Sequence, residues 1–342
     1  MRSRGLPGHH ETRVGGTSDR GPISAPPARF IVAVMPERRA RDVGQSRIEI
    51  AYERLGDPGT PPVLLVMGAG AQLVDWPDGF CRELVDRGVQ VVRFDNRDAG
   101  RSTHFPDAPV PDFAAALAGD LSTASYALSD MAADAVGLLD VLGWGGAHVV
   151  GASLGGMIAQ VLAIEHPGRV RSLTSMMSTT GEPGVGEADF SLFAELGPPP
   201  PEREAFVEWR VRTTRITASP VFTFDEAEVA ERAGVVHDRG YDALGAQRQG
   251  LAAVATGDRT ARLRSLDVPA LVVHGTADRV IDLGGGHATA DAVPDADLLL
   301  VNGMGHNLPR ELWSELAERV VRLVERAEAA SARHPADSRD GR

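Results

Sequence analysis

The sequence predicts an α/β protein, a doubly wound and mostly parallel sheet that carries a helical insertion. Three observations lead there: short apolar runs without internal alternation, helix-period stretches between them, and one long segment without a strand pattern.

The apolar runs are Val63–Met67, Val89–Phe94, Ala147–Val150, Val170–Met176, Ala270–His274 and Leu298–Val301. Their polarity does not alternate, as expected of strands covered on both faces of a parallel sheet. Between them the apolar spacing turns helical. Ser129 reads as the N-cap of a helix with Met131, Ala135, Leu138 and Leu142 on one face. Pro309 suits the first turn of the last helix, where Leu312, Leu316, Val320 and Leu323 recur at helical spacing. From about Glu182 to Ala261 the rhythm breaks. A proline run, Pro198–Pro201, is followed by helical stretches around residues 205–214, 225–235 and 241–255. Such an insertion is expected to cap the strand ends, where open α/β sheets bind ligands.

The expected organisation is therefore a core of residues 45–181 and 262–327 with a helical cap of 182–261. Residues 1–44 are rich in Gly, Pro, Arg and Ser and are expected to be disordered, as is a flexible tail of 328–342. Met35 lies in the first stretch and is a candidate for the true start. Peptides from residues 1–34 in the native protein would refute that.

Composition narrows the function. The 342 residues, 43% hydrophobic and 24% charged, are those of an ordinary globular protein, and the net charge of -12 argues against nucleic-acid or anionic-membrane partners. All 35 basic residues are Arg, which excludes a lysine nucleophile, a Schiff base and a P-loop lysine. The single Cys81 cannot form an internal disulfide, and its place in a predicted helix reads as a small buried residue. No Cys/His cluster has zinc-site spacing, and no apolar run approaches the roughly 18 residues of a membrane span. Phe30–Met35 is shorter than the ~7–15 residues of a signal-peptide core. A soluble, cytoplasmic protein without metal or organic cofactor is expected; its oligomeric state is not set by the sequence.

The chemistry lies in one turn and two loops. The strand ending at Val150 runs into Gly151-Ala152-Ser153-Leu154-Gly155, and a helix-compatible stretch, Met157–Leu162, follows. Strand, G-x-S-x-G, helix is the context of a nucleophile elbow, in which small neighbours leave room for a strained serine. An ordinary strand-to-helix turn is the rival reading. A serine hydroxyl needs a base and an acid that orients the base. Asp278 follows the strand ending at His274, and His306 follows the strand ending at Val301. Both fall on the same side of the sheet as Ser153, in the order Ser…Asp…His. Asp282 is a rival acid, whereas Asp267 precedes its strand and lies at the wrong end. His148 and His274 are inside strands and read as structural; His104, His166, His237 and His287 have no comparable placement. The backbone N–H groups of Leu154 and Ala69 are the expected oxyanion donors, Ala69 lying in Met67-Gly68-Ala69-Gly70 after a strand. These glycines could instead serve only the turn.

With these residues in place the chain resembles the α/β-hydrolase family over about residues 46–327. The resemblance implies the α/β-hydrolase fold. Phe94-Asp95-Asn96-Arg97-Asp98-Ala99-Gly100-Arg101-Ser102 looks like that family's loop after the fourth strand, although many members carry Arg-Gly where Asp98-Ala99 stands. Val66-Met67-Gly68-Ala69 departs from the common His-Gly pattern. It is similar to the aclacinomycin methylesterase subgroup, as are Trp76-Pro77 and Gly303-Met304-Gly305-His306-Asn307-Leu308-Pro309. That implies a carboxylic ester hydrolase acting on small molecules, methyl esters among them. Trp209, Phe206 and Phe222 are the candidate substrate contacts in the cap, with cap core as the rival role for this aromatic stripe. The same triad also serves carbon–carbon bond hydrolysis and perhydrolase chemistry, and some members of the fold are ligand receptors or signalling partners with slow turnover.

Overall fold

Each of the six apolar runs is a strand in the computed structural model, which describes residues 11–14 and 36–333. Among these residues the strands are β1 (Glu11–Val14), β2 (Arg38–Val43), β3 (Ile48–Leu55), β4 (Pro62–Val66), β5 (Gln90–Phe94), β6 (Ala147–Ala152), β7 (Val170–Met176), β8 (Ala270–Gly275) and β9 (Asp297–Val301). They form one sheet in the order β1-β9-β8-β7-β6-β4-β5-β3-β2. All neighbours from β1 to β5 are parallel, while β3 pairs antiparallel with β5 and β2 antiparallel with β3.

Successive strand side chains point to opposite faces, and both faces are covered. Leu64, Val66, Val92 and Val149 face a core built with Met131, Leu138, Ile158 and Leu162. Val63, Leu65, Val91 and Val150 face the other, with Phe80, Leu84, Leu316 and Val320. The second core is closed by α1 (Asp78–Val85) and α10 (Trp313–Arg333), and the first by α3 (Leu128–Val141), α4 (Leu154–Glu165) and α9 (Leu283–Ala292); the short α2 (Phe113–Leu117) lies in the connection after β5. Cys81 lies on the inner side of α1, where burial pushes its thiol up to about 12. Among the described residues no helix is long and apolar enough to cross a membrane.

The expected boundaries need correction at three places. The extension expected to be disordered through residue 44 contains two strands, β1 and β2. In β2 only Ala40 and Val43 are buried, because it is the sheet's edge and its arginines face solvent; that pattern hides a strand. The last helix continues past 327 to Arg333, because Glu328 accepts hydrogen bonds from the buried His148 (3.1 Å) and from Arg171 (3.0 Å). Ser129 is not an N-cap: α3 starts one residue earlier, and the Asp130 carboxylate accepts from the Ala127 N–H at 2.8 Å. The Ser129 hydroxyl donates instead to Glu165 at 3.0 Å. The expectations for residues 1–10, 15–35 (Met35 included) and 334–342 lie outside the described residues.

Between β7 and β8 the chain forms α5 (Arg203–Thr217), α6 (Glu226–Asp238), α7 (Ala243–Thr256) and α8 (Thr260–Leu263). Buried polar contacts tie this insertion to loops at the carboxyl ends of the strands. Gln249 of α7 accepts from the Gly70 N–H at 2.8 Å and donates to the Arg97 carbonyl at 2.6 Å. Gln72 donates to the Val236 and Gly240 carbonyls at 3.0 and 2.9 Å.

Candidate active site

Ser153 sits between β6 and α4 with φ 55° and ψ -124°, a backbone that costs an L-residue about 1–3 kcal/mol. Two glycines make the turn possible by close approach. A Cβ on Gly151 would stand 2.1 Å from the Gly155 carbonyl oxygen, and one on Gly155 would stand 2.0 Å from that of Val66. The strained residue is tied down from both sides: its N–H donates to the Met176 carbonyl at 2.9 Å, and the Ser178 hydroxyl donates to its carbonyl at 2.8 Å.

The loops after β8 and β9 bring Asp278 and His306 to this serine. His306 Nε2 lies 3.0 Å from Ser153 Oγ, and its Nδ1 lies 2.8 Å from Asp278 Oδ2. Since the carboxylate can only accept, Nδ1 carries the proton and Nε2 is left to accept from the serine hydroxyl; the network assigns this tautomer. The other Asp278 oxygen accepts from the Val280 and Ile281 N–H groups at 2.9 and 3.0 Å. The carboxylate is fully buried and the imidazole 14% exposed, so a ligand can reach the histidine but not the acid behind it.

The rival residues are engaged elsewhere. Asp282 caps α9, accepting from the Gly284 N–H at 2.8 Å. His148 is buried between Ser172 and Glu328, and burial lowers its pKa to about 4 against the opposing pull of Glu328. His104 contacts Asp242 and the Gly100 carbonyl, and His237 donates to the Pro201 carbonyl. His274 lies behind the acid, donating to the Ile281 carbonyl at 3.0 Å and standing 3.6 Å from Asp278 Oδ2; burial holds its pKa down. Among the described residues only His306 bonds Ser153 Oγ.

The loop of Met67–Gly70 passes beside the serine. A Cβ on Gly68 would lie 3.1 Å from Ser153 Cβ and 3.5 Å from its Oγ. Ala69 is held from both flanks, by Asn96 donating to the Met67 carbonyl at 3.0 Å and by the Gly70 bond to Gln249. Leu154 opens α4, so its N–H has no preceding helical turn to donate into. Nothing in the local sequence marks Asn96, Gln249 or Ser178 as part of this site. Gln249 is 179 residues from the glycine it holds, and no local pattern marks such a pairing.

Two of the three expected substrate contacts are corrected. Phe206 and Trp209 pack inside the insertion around Val236, their rings 5.8 Å apart and that of Phe206 5.0 Å from Tyr241. Helical spacing put them on an inward face, which the neighbouring helix α6 covers. Phe222 is half-buried and lines a cavity of about 600 Å³ with Ile216, Pro220, Phe224 and residues 276–279. Asp98, His104 and Asp242 bring potential metal ligands within 4.8 Å of one another. Arg248 lies among them, 2.8 Å from Asp98 and 3.1 Å from Asp242, so the two carboxylates already share a guanidinium.

Comparison with known proteins agrees with this architecture. A family model described as the alpha/beta hydrolase fold matches residues 61–227. Rhodomycin D methylesterase DnrP of Streptomyces peucetius is 28% identical over 301 residues, covering 81% of this chain and 95% of its own. A 2-hydroxymuconate semialdehyde hydrolase of Pseudomonas putida is 26% identical, covering 84% of this chain and 95% of its own. Among solved structures, a meta-cleavage product hydrolase from Pseudomonas fluorescens IP01 superposes with a TM-score of 0.64 at 19% identity, covering 84% of this chain and 99% of its own.

Proposed function

We propose that this chain, an α/β-hydrolase-fold protein, is a serine hydrolase of small-molecule carboxylic esters, methyl esters among them. The observation that carries the reading is the unbroken line from Ser153 Oγ through His306 to the buried Asp278, at 3.0 and 2.8 Å. Similarity to a methylesterase over most of both chains supports the ester class.

In the proposed reaction His306 Nε2 takes the hydroxyl proton as Ser153 Oγ attacks the ester carbonyl. The oxyanion accepts from the Leu154 and Ala69 N–H groups. Asp278 holds the ring and stabilises the imidazolium without taking its proton. His306 then gives its proton to the departing alkoxide, and the alcohol leaves. Water enters, His306 removes one of its protons, and the hydroxide attacks the acyl-enzyme. Collapse releases the acid and returns the proton to Ser153. No step needs a metal or an organic cofactor.

Ser153→Ala is the test. It is expected to lower kcat on a short-chain ester by about 10⁶-fold and to abolish fluorophosphonate labelling. Persistent labelling of that variant would sink the assignment. A second reading, carbon–carbon bond hydrolysis on the same residues, is favoured by the similarity to a semialdehyde hydrolase. It predicts turnover of a vinylogous diketone acid in preference to every member of an ester panel.

A further inference from the structure

Three consecutive residues of the histidine loop are bonded to the insertion. The Gly305 N–H donates to Ser219 Oγ at 2.7 Å. The His306 N–H donates to the Thr217 carbonyl at 2.8 Å. Asn307 Oδ1 accepts from both the Ser219 N–H and the Ser219 hydroxyl, at 3.0 and 2.7 Å. Ser219 is only 5% exposed, and its hydroxyl is engaged as donor and as acceptor at once. The loop passes close to residues 217–221. A Cβ on Gly305 would stand 2.5 Å from the Thr217 carbonyl oxygen, and one on Gly303 would stand 2.2 Å from Val221.

We infer that Ser219 is a positioning residue for His306: the strap at the end of α5 (Thr217 to Ser219) sets where the imidazole stands relative to Ser153. This rests on His306 being the base of the proposed reaction. A glycine-rich loop, Gly303-Met304-Gly305, has little stiffness of its own. The residues before and after His306 both bond the Ser219 hydroxyl, so removing it takes away one bond on each side of the ring and loosens the backbone that carries it. A displacement near 1 Å is enough to cost about 10²-fold in rate. Thr217 contributes only its carbonyl, which leaves Ser219 as the side chain that substitution can address.

The experiment is fluorophosphonate labelling of the full chain, followed both for rate and for final extent. Ser219→Ala is expected to label to the wild-type extent but about 10- to 100-fold more slowly, with KM for a short-chain ester nearly unchanged and kcat lowered by the same factor. Ser219→Thr keeps the hydroxyl and is expected to restore most of the rate. A wild-type labelling rate in Ser219→Ala overturns the inference. So does a lower final extent with an unchanged rate per labelled molecule, since that is the mark of a residue needed only for folding. If Ser219→Ala is insoluble, Asn307→Ala decides by the same two readouts, because it removes the other half of the clamp. A wild-type chain that does not label at all overturns the serine-hydrolase reading itself, whereas full wild-type labelling with an unaffected Ser219→Ala overturns only the positioning role.

Discussion

At the scale of single residues, burial and hydrogen bonding assign each polar group one task. Asp278 has both oxygens filled, one by His306 and the other by two backbone N–H groups. Asp278→Asn keeps the shape but turns a donor toward His306 and favours the wrong tautomer. Under the proposed mechanism kcat on a short ester should fall by about 10⁴-fold, with the fold unchanged by circular dichroism. His148 makes the opposite point, because it is a structural histidine with a strongly shifted pKa. Burial places it at about 4, below the ~6.5 of an unfolded histidine, with Glu328 and Arg171 as its charged neighbours. The unfolded chain therefore binds this proton more tightly. The stabilisation is fully present above about pH 6.5 and is lost as the pH falls toward 4, by an amount on the order of 3 kcal/mol. His274, also shifted down by burial, acts in the same direction. Urea midpoints measured from pH 7.5 to 4.5 should fall steeply for the wild type and less steeply for His148→Gln; equal slopes would contradict this account.

At the scale of elements, what is conspicuous is how closely helices approach their neighbours. The packing of α1 against α10 depends on Gly79, where an added Cβ would lie 2.1 Å from the Trp313 ring. Gly79→Ala should therefore lower stability by about 1–3 kcal/mol through overpacking while leaving the site residues in place. A denaturant midpoint that falls with labelling kinetics intact is the expected result. The elbow obeys the same steric rule with less tolerance, because its clashes are with backbone atoms rather than with a ring that can turn. The elements also show where apolar pattern reading works. Strands covered on both faces, such as β4 and β6, are buried at every position and announce themselves as continuous apolar runs. The edge strand β2 has two buried positions among charged ones, and nothing local distinguishes it from a loop.

At the scale of the whole molecule, the insertion is joined to the core through buried charge. Arg248 of α7 is 2% exposed and pairs with the fully buried Asp98, which also accepts from the Tyr126 hydroxyl at 2.8 Å. Arg248→Met would leave the carboxylate buried without its counter-charge, and a loss of about 3–5 kcal/mol is expected. Adding Asp98→Asn should recover part of that loss, and a double-mutant cycle in urea would measure the coupling. Such pairs join residues far apart in the chain, so they have no footprint in any sequence window. The same holds for Gln249 beneath Gly70 and for Ser219 against Asn307, partners 179 and 88 residues apart.

The six strands of the sheet's interior, the sharp turn at Ser153 and the loop positions of Asp278 and His306 were legible in the linear chain, whereas β1, β2 and β3 and the strand order were not. Each legible feature is written in neighbouring residues: an apolar run makes a buried strand, a glycine pair makes a sharp turn, and a loop after a strand has only one end of the sheet on which to lie. Folding was needed to decide what faces what. It turned Phe206 and Trp209 into the insertion's own core, left Phe222 on a cavity wall, and set the Thr217–Ser219 strap against the histidine loop. Side-chain direction at that level depends on how a second helix covers the first and on hydrogen bonds closed across many tens of residues, and those partners exist only once the chain has packed.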